Sequence, residues 1–380
     1  MKRWLLVRRN LARRPLRTGL TVWGVASALV LLLLVEGMAH GVDAAFAAGD
    51  AARTLIVYRQ NRYCPQTSIL PERYGARIAR IEGVTHVLPV KVWLSNCRAS
   101  LDVVTFHGAP VDRLFETRDI DVVEGDARSF RRQKDGALIG VTFAARRRLS
   151  VGDRFRFGKI DVKVDGVFRS QDPVAENVIL THLEFLQRSG PVNQLGTVTE
   201  FEVKIADARR AEAIAAEIDG AFQNDEAPTD TRARVLYLES ATRDLREILR
   251  FARILGYAAM LVVLVLIANT VAMSVAERTK DLAVMRTIGF GERSIALSIV
   301  AEALTLALAG GLLGAGVASA FLWWTRLSIG SEGVSISADL SPRLLATGIA
   351  MAGAAGVLAG LWPAWKSSRI PIAATLKATG

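Results

Sequence analysis

Four long apolar stretches divide this sequence, and they constrain the fold more than any other feature. They cover roughly residues 20–35, 254–275, 295–324 and 344–361, and about 200 residues separate the first from the second. The hydrocarbon core of a bilayer is about 30 Å thick and a helix rises about 1.5 Å per residue, so a spanning helix needs about 20 apolar residues. Each stretch therefore predicts a transmembrane helix. The fold class predicted is an α-helical membrane protein with a large domain inserted between helices 1 and 2.

The net charge of +11 lies beside these stretches. Seven basic and no acidic residues precede the first stretch, whereas residues 41–250 are nearly balanced. Basic residues collect on the cytoplasmic side of spanning helices. We therefore expect a multi-pass protein of the cell inner membrane, with both termini in the cytoplasm and residues 41–250 outside. A nucleic-acid-binding protein would concentrate its positive charge on a folded face, so nucleic acid is not an expected partner, whereas membrane lipid is.

This orientation predicts an order of segments along the chain. The segments are a cytoplasmic amphipathic helix at 1–17, transmembrane helix 1 at 18–40, an extracytoplasmic domain at 41–250, transmembrane helix 2 at 254–275, a cytoplasmic loop at 276–293, transmembrane helix 3 at 295–324, an extracytoplasmic loop at 325–342, transmembrane helix 4 at 343–362 and a cytoplasmic tail at 363–380. A cleaved signal peptide is the alternative for the first stretch. Its apolar part is longer than the roughly 7–15 residues of a signal peptide, which favours an uncut anchor.

The domain at 41–250 mixes strand-like and helix-like patterns, which predicts an α+β fold. Strand, helix and strand recur at both ends of the domain, around a strand-rich middle. We expect a mixed lobe formed by about 50–110 and 197–238, with a small β lobe inserted at 111–196. The pair Gly158-Lys159 predicts a hairpin turn in the β lobe, and residues 232–238 predict the closing strand of the mixed lobe.

Residues 239–253 lead from this domain into the second apolar stretch without a Gly or Pro. Leu245, Ile248, Leu249 and Ala252 recur at helical spacing. The pattern favours a helical stalk that continues into the membrane and can transmit motion. An ordinary helix packed on the domain is the alternative.

The two cysteines, Cys64 and Cys97, both fall in the extracytoplasmic domain. Thiols in an oxidising compartment can pair, and such a disulfide would be a structural staple. Sequence spacing does not show whether their Cα atoms lie within reach of each other, so the pairing stays open.

No motif for catalysis or metal binding occurs in the sequence. It lacks G-x-x-x-x-G-K-[ST], G-x-S-x-G and H-E-x-x-H, and its four histidines are scattered. We therefore expect no enzyme activity, metal or cofactor on this chain, and an energy source on another polypeptide or in ion flux. Glu302 lies about 10 Å inside the third span by helix rise. One acid makes a poor ion pathway, which favours a structural partner such as Asn269.

Small residues recur in the last two apolar stretches. Gly310 and Gly314 form one small-xxx-small pair, and Gly356 and Gly360 form another. Such pairs let helices approach closely. The pattern allows packing within one chain and packing between two copies equally.

The cytoplasmic loop 276–293 has the sharpest local pattern. Leu282, Met285 and Ile288 lie three residues apart on one face of a short predicted helix, and Gly289 is placed to cap its C-terminus. One interpretation is an interfacial helix resting on lipid. The other is a docking helix whose apolar ridge enters a groove on a cytosolic partner.

At this loop the sequence resembles a known family. Residues 267–295, IANTVAMSVAERTKDLAVMRTIGFGERSI, resemble the membrane-exit and coupling segment of MacB/FtsX-like ABC transporter permeases. Residues 8–26, 301–318 and 362–378 are similar to other membrane segments of that family, in the same order. Residues 136–170 are similar to the small β lobe of the family's extracytoplasmic domain.

The resemblance implies a permease-only subunit, since no ATPase domain is fused in this sequence. Two permeases, a second copy or a homologue, would pair, and each would bind a cytosolic ABC ATPase subunit that holds ATP and Mg. A periplasmic adaptor protein is a further partner implied by the family. The residues that would couple to the ATPase are Glu277, Arg278, Asp281, Leu282, Met285, Arg286 and Gly289.

Two functions follow from this resemblance. In the first, ATP binding and hydrolysis drive a conformational change outside the membrane, called mechanotransmission, for export or extraction of a substrate. The alternative is an FtsX-like regulator of an extracytoplasmic enzyme or signalling partner.

Overall fold

The computed structural model describes residues 13–47, 51–62, 67–95, 103–325, 327–331, 334–338 and 340–368. The chain divides into two compact units. The helical unit consists of Met1–Gly37, Ile248–Trp324 and Asp339–Gly380, and the sheet unit consists of Met38–Glu247 and Thr325–Ala338. Cys64, Cys97 and most of the predicted amphipathic helix at 1–17 lie outside the described residues.

Eleven helices and fourteen strands occur in the part of the chain that is described. The helices are α1 (Pro15–Ala47), α2 (Tyr74–Ile78), α3 (Val111–Thr117), α4 (Ala127–Arg132), α5 (Val141–Arg147), α6 (Leu183–Ser189), α7 (Ala211–Phe222), α8 (Arg234–Glu277), α9 (Thr279–Thr287), α10 (Glu292–Thr325) and α11 (Pro342–Ser368). The strands are β1 (Thr54–Arg59), β2 (Leu70–Pro71), β3 (Val84–Leu94), β4 (Thr105–Ala109), β5 (Asp121–Gly125), β6 (Gly136–Gly140), β7 (Arg154–Phe157), β8 (Ile160–Arg169), β9 (Ile179–His182), β10 (Thr197–Val198), β11 (Glu200–Ile205), β12 (Thr229–Ala233), β13 (Ser328–Ser331) and β14 (Val334–Ser337).

Four helices, α1, α8, α10 and α11, are long and apolar enough to cross a membrane. With an α+β domain between the first and second of them, the predicted fold class is confirmed. Helix α8 is unbroken over 44 residues, which corresponds to a length of about 66 Å. The residues predicted as stalk and as second span therefore form one helix.

The helical unit has one apolar core to which all four long helices contribute. Leu29 of α1, Ile267 of α8, Leu306 of α10 and Ala359 of α11 are buried in it. Their outward-facing neighbours are large apolar side chains that stay exposed, such as Leu261. A core inside and an apolar surface outside is the pattern expected of helices that pack in lipid.

The paired glycines of α10 and α11 lie at close contacts between these helices and their neighbours. Gly310 and Gly314 lie against α1, and Gly356 and Gly360 lie against α10. A Cβ added at Gly310 or Gly356 would come within 2.5 Å of a side-chain carbon on the facing helix. All four glycines therefore serve contacts inside one chain, where the sequence pattern left a contact between two copies equally open.

The sheet unit is built on one ten-stranded sheet with the order β12-β1-β11-β3-β4-β9-β6-β8-β5, and β7 also pairs with β8. The long strand β3 joins two halves of this sheet. The first half contains β12, β1 and β11, and the second, inserted half contains β4, β9, β6, β8 and β5. The first part of β3 pairs with β11, and residues Lys91 to Leu94 pair with β4. Helices α2 and α7 bury the apolar side chains Ile78 and Ile218 in the core of the first half.

Two predicted boundaries in this unit are corrected by the structure. Strand β4 falls within the lobe predicted at 50–110, yet it pairs in parallel with β9 of the insertion, Phe106 opposite Ile179. The boundary between the halves therefore runs through β3. The strand predicted at 232–238 ends at Ala233, and α8 begins at Arg234, because a short apolar run fits a strand and a buried helix equally well.

Two hairpins complete the sheet unit. Strands β7 and β8 pair around Gly158-Lys159, and Gly158 has φ +61°, so the predicted turn is confirmed. Strands β13 and β14 pair within the segment predicted only as a loop at 325–342. Their alternation of small and apolar residues is too short to predict a strand pair from sequence.

Candidate functional site

Helix α9 and its flanking residues, together 276–293, contain all seven residues predicted to couple to a partner. A single residue, Arg278, separates α9 from α8, and its backbone leaves helical geometry at φ −111° and ψ 16°. The Thr279 hydroxyl donates to the Ala276 carbonyl at 2.7 Å, and the Leu282 N–H donates to the Arg278 carbonyl at 3.0 Å. Helix α9 therefore begins at a hydrogen-bonded corner directly after α8.

The other end of α9 closes on a glycine. Gly289 has φ +101°, a conformation that glycine adopts without a Cβ clash. The Gly289 N–H donates to the Arg286 carbonyl at 3.1 Å, and the Phe290 N–H donates to the Met285 carbonyl at 3.0 Å. These two bonds form a Schellman motif, which confirms the cap predicted at Gly289.

A buried ion pair fixes the start of α9 to α10. The Arg278 Nη2 atom lies 2.6 Å from Glu302 Oε2, and the Ser274 hydroxyl donates to Glu302 Oε1 at 2.9 Å. The two charged side chains are only 12% and 5% exposed. Glu302 thus has a structural partner as expected. The partner is Arg278, whereas the suggested Asn269 is exposed. Removing either charge would leave the other buried and uncompensated.

Arginines ahead of the first span contact the same segment. Arg17 donates to both carboxylate oxygens of Glu277 at 3.2 and 3.4 Å, and Arg13 donates to Asp281 at 3.2 Å. The Arg13–Asp281 pair is well exposed and contributes little by itself. Arg17 is 24% exposed and donates to both oxygens of the Glu277 carboxylate, so it holds the Glu277 end of α8 against α1.

A further ion pair closes the loop after α9. Arg286, near the end of α9, pairs with Glu292, the first residue of α10. The Glu292 carboxylate also lies where the N-terminal dipole of α10 favours a negative charge. Together with Gly289, this pair holds α9 close to α10.

The apolar side chains of this segment fall into two groups. Leu282 is partly buried against the core of the helical unit, and Met285 is also partly buried. Val284, Ile288 and Phe290 are 46, 72 and 45% exposed. Val284 and Ile288 lie four residues apart, on one face of the helix. The predicted ridge of Leu282, Met285 and Ile288 is therefore only partly presented to solvent, and we call Val284, Ile288 and Phe290 the exposed ridge.

Sequence reasoning missed several participants in this site. The sequence predicted Arg13 and Arg17 only as part of the basic segment before the first span. It predicted Glu302 only as an acid within the third span. Their pairing with α9 depends on how the helices pack. The signal that could have suggested the Arg278–Glu302 pair was a basic residue at the end of one span together with a lone acid inside the next span, because ionisable residues within spans usually pair with one another.

The arrangement is suited to binding a partner. In the described ranges no group of three or more His, Cys, Asp or Glu side chains could hold a metal ion. What the segment offers is an exposed apolar ridge with charged neighbours on a short helix held at both ends. An apolar face with charges around it is the usual form of a helix that docks into a groove.

Comparisons with known proteins cover both units. Residues 20–221 match the MacB-like periplasmic core domain, and residues 253–372 match the FtsX-like permease C-terminal region. The chain is 34% identical over 108 residues to the macrolide export ATP-binding/permease proteins MacB of Brucella abortus and Brucella melitensis biotype 1. These alignments cover 27% of this chain and 15% of each relative, so the chain spans a small part of the curated relatives that it matches.

Solved structures also resemble the chain. The extracellular domain of the noncanonic ABC-type transporter YknZ from Gram-positive bacteria aligns at 15% identity and a TM-score of 0.35, over 47% of this chain and 99% of that one. The periplasmic region of MacB from Actinobacillus actinomycetemcomitans aligns at 10% identity and a TM-score of 0.36, over 50% and 94%.

The match to the MacB-like core domain alone covers more than half of the 380 residues, and the FtsX-like match includes the whole α9 segment. Four apolar helices accompany them, with the α+β domain between the first two. The chain therefore belongs to the MacB/FtsX-like family of ABC transporter permeases.

Proposed function

We propose that this chain is the permease subunit that couples ATP binding and hydrolysis on a separate cytosolic ATPase to a conformational change of the sheet unit, for export or extraction of a substrate. The observation that carries the proposal is the exposed ridge of Val284, Ile288 and Phe290 on a helix anchored at both ends. A docking helix needs an apolar surface for affinity and a rigid base for force.

The anchoring of α9 supports transmission of movement. Arg278 ties its start to Glu302 of α10, and Arg17 ties the adjoining end of α8 to α1. A displacement of α9 by a bound partner would therefore move the inner ends of three helices together. An independent flexible loop would absorb the same displacement.

The continuity of α8 supports the next step. The helix begins at Arg234 in the sheet unit and ends at Glu277, one residue before the corner at Arg278. Hydrogen bonds within a helix resist bending, so movement imposed at Glu277 reaches Arg234 with little loss. This is the physical basis of mechanotransmission in the proposal.

The proposed partners follow from the same reasoning. The sequence has no phosphate-binding loop, so ATP and Mg are assigned to the partner ATPase. Basic residues around α1 and α9 support an inner-membrane protein with both termini in the cytoplasm. A second permease copy or homologue and a periplasmic adaptor complete the proposed assembly.

The coupling step is tested on the exposed ridge. The tagged chain is purified from native membranes with its ATPase, and ATP hydrolysis and retained ATPase are measured for Ile288→Asp in the ridge and for Met285→Asp, a partly buried residue beside it. A charge in a docked apolar contact should weaken binding by about 10- to 30-fold. Val192→Asp is the matched control, since Val192 is an apolar side chain of the sheet unit that is 84% exposed. Wild-type ATPase retention by Ile288→Asp would refute the docking surface.

The orientation is tested by labelling. Thr279→Cys and Ser170→Cys are made separately in a background with Cys64→Ser and Cys97→Ser, and intact cells are treated with an impermeant maleimide. Labelling at position 170 and protection at position 279 until the cells are opened is the expected result. The reverse pattern would place α9 outside, away from any cytosolic ATPase. The regulator alternative shares this coupling step, and identification of the other co-purifying chains separates the two functions.

A further inference from the structure

Strand β11 has one charged face in the interior of the sheet unit. Phe201, Val203 and Ile205 pack in the apolar core. Side chains alternate along a strand, so Glu200 and Glu202 project from the opposite face, and both are buried at 7% exposure. Two carboxyl groups about 7 Å apart on a buried face need compensation.

Glu202 is compensated by an arginine of the inserted half. Arg118 donates through Nη2 to Glu202 Oε1 at 2.5 Å and through Nε to Oε2 at 3.0 Å. The same Nη2 atom lies 3.0 Å from His107 Nδ1. Arg234, the first residue of α8, pairs instead with Asp172. Both guanidinium groups therefore already have a carboxylate partner.

Glu200 has no such partner. Within the described residues its carboxyl group makes no hydrogen bond or ion pair, and it lines a cavity of about 50 Å³. Arg234 and Tyr237, in the first turn of α8, line the same cavity, which is large enough to hold water. The cross-strand neighbour of Glu200 on β1 is Tyr58. An unpaired buried carboxylate is strongly disfavoured, so this group is poised to hold a proton.

The surrounding charges leave one acid in excess. Three carboxyl groups, of Glu200, Glu202 and Asp172, face two guanidinium groups, of Arg118 and Arg234. The nearby aromatic groups stay neutral, because burial lowers the pKa of His107 to about 3 and raises the pKa of Tyr58.

More distant charges do not change that balance. Asp230 and Arg232 on β12 pair with each other. Lys204 is four residues along β11 from Glu200, about 13 Å away. It lines a larger cavity of about 480 Å³ that Glu202, Arg118, Asp172 and Arg234 also line, and the carboxylate of Asp119 in the same cavity offsets its charge. The excess negative charge therefore resides at Glu200.

We propose that Glu200 is a proton-binding site that controls the packing of the first turns of α8. With the proton bound, Arg234 stays with Asp172. When Glu200 releases its proton to solvent, its carboxylate competes with Asp172 for Arg234 and repels Glu202, which loosens the start of the helix. Burial and the Glu202 charge raise the pKa of Glu200 to about 7, which puts this change near neutral pH. The consequence for transport rests on the proposed role of α8 as transmitter, whereas the proton site does not.

The test is amide hydrogen exchange of the full-length chain in lipid nanodiscs at pH 6 and pH 8, expressed as protection factors so that the intrinsic effect of pH is removed. If opening of the helix start returns Glu200 to an ordinary carboxyl, linkage predicts that protection of residues 235–245 falls about tenfold between the two pH values. In Glu200→Gln the fall should be absent. Glu217→Gln, at an exposed carboxylate of α7, should behave as the unchanged protein does.

Two outcomes would overturn the proposal. One is equal protection of residues 235–245 at both pH values in the unchanged chain, and the other is the same fall in Glu200→Gln as in the unchanged chain. Glu200→Met, a second neutral side chain of similar length, replaces Glu200→Gln if that variant does not fold. The readout needs no ATPase, so a failure of the coupling proposal leaves this test intact.

Discussion

Arg278 and Glu302 form an ion pair 2.6 Å long that joins the corner between α8 and α9 to the first third of α10. Ser274 binds the second carboxylate oxygen, so the acid is satisfied on both sides. Together with the Arg286–Glu292 pair and the packing of Leu282, this contact makes α9 part of the packed helical unit. It also explains why one acid is tolerated inside an apolar span.

Neutralising Glu302 should destabilise the protein strongly. Glu302→Gln leaves the Arg278 guanidinium buried without a counter-ion, and breaking a buried pair in this way costs about 3–5 kcal/mol. The double variant Arg278→Met with Glu302→Leu removes both charges and should recover most of that stability. The measurement is the unfolding midpoint in one detergent for all variants. An unfolding curve of Glu302→Gln that overlaps that of the unchanged protein would contradict the role of the pair.

Gly310 should not accept a methyl group. In Gly310→Ala the new Cβ would lie 2.5 Å from Val25 Cβ and 2.8 Å from the Val22 carbonyl oxygen, and overpacking of this kind costs about 1–3 kcal/mol. Gly316 lies in the same helix with no atom within 4 Å of an added Cβ. Gly316→Ala should therefore be neutral or stabilising by up to about 1 kcal/mol. Equal thermal unfolding of the two variants would show that α1 and α10 are not in close contact.

Replacing Gly289 should loosen the end of α9. At φ +101° an alanine is strained by about 1–2 kcal/mol, so the cap opens more often. We expect tryptic cleavage after Arg286 to become about fivefold faster per kcal/mol lost. Gly291→Ala is the control, because no positive φ strains that position and no atom lies within 4 Å of an added Cβ. Identical cleavage rates for both variants would mean that the cap does not hold the helix.

Glu202 should make the sheet unit sensitive to acid. Burial opposes its ionisation, but the Arg118 charge and hydrogen bonds outweigh burial, so the pKa of Glu202 is lowered. A carboxyl group with a lowered pKa stabilises the folded state above its unfolded value of about 4.3, and that stability is lost as the pH falls below it. The thermal midpoint should therefore drop between pH 5 and pH 3. Glu202→Gln should start lower at pH 6 and drop less.

The control for this pH series is Glu212→Gln, at an exposed position of α7, which should follow the unchanged protein. The same acid-dependent drop in Glu202→Gln would assign the sensitivity to other carboxyl groups. Glu200 has the opposite sign, since a raised pKa means that its destabilising effect grows as the pH rises.

Features that depend on neighbouring residues could be predicted from the sequence. The four spanning helices follow from unbroken apolar length, the cap at Gly289 from a helical pattern that ends in glycine, and the turn at Gly158 from a glycine between two alternating segments. In each case the physical cause, helix periodicity or a backbone angle, lies within a few residues of its effect. The same holds for the continuity of α8, where no Gly or Pro interrupts residues 239–253.

Features that depend on residues far apart in the chain were decided only by tertiary packing. The sequence predicted a partner for Glu302 but not Arg278, because the rotation of α8 against α10 decides which side chain faces the acid. Likewise, β11 presents Glu200 and Glu202 identically, yet only Glu202 meets an arginine of the insertion. Local periodicity determines which face of an element a residue occupies. What that face meets depends on contacts between distant segments, and only the folded chain brings those together.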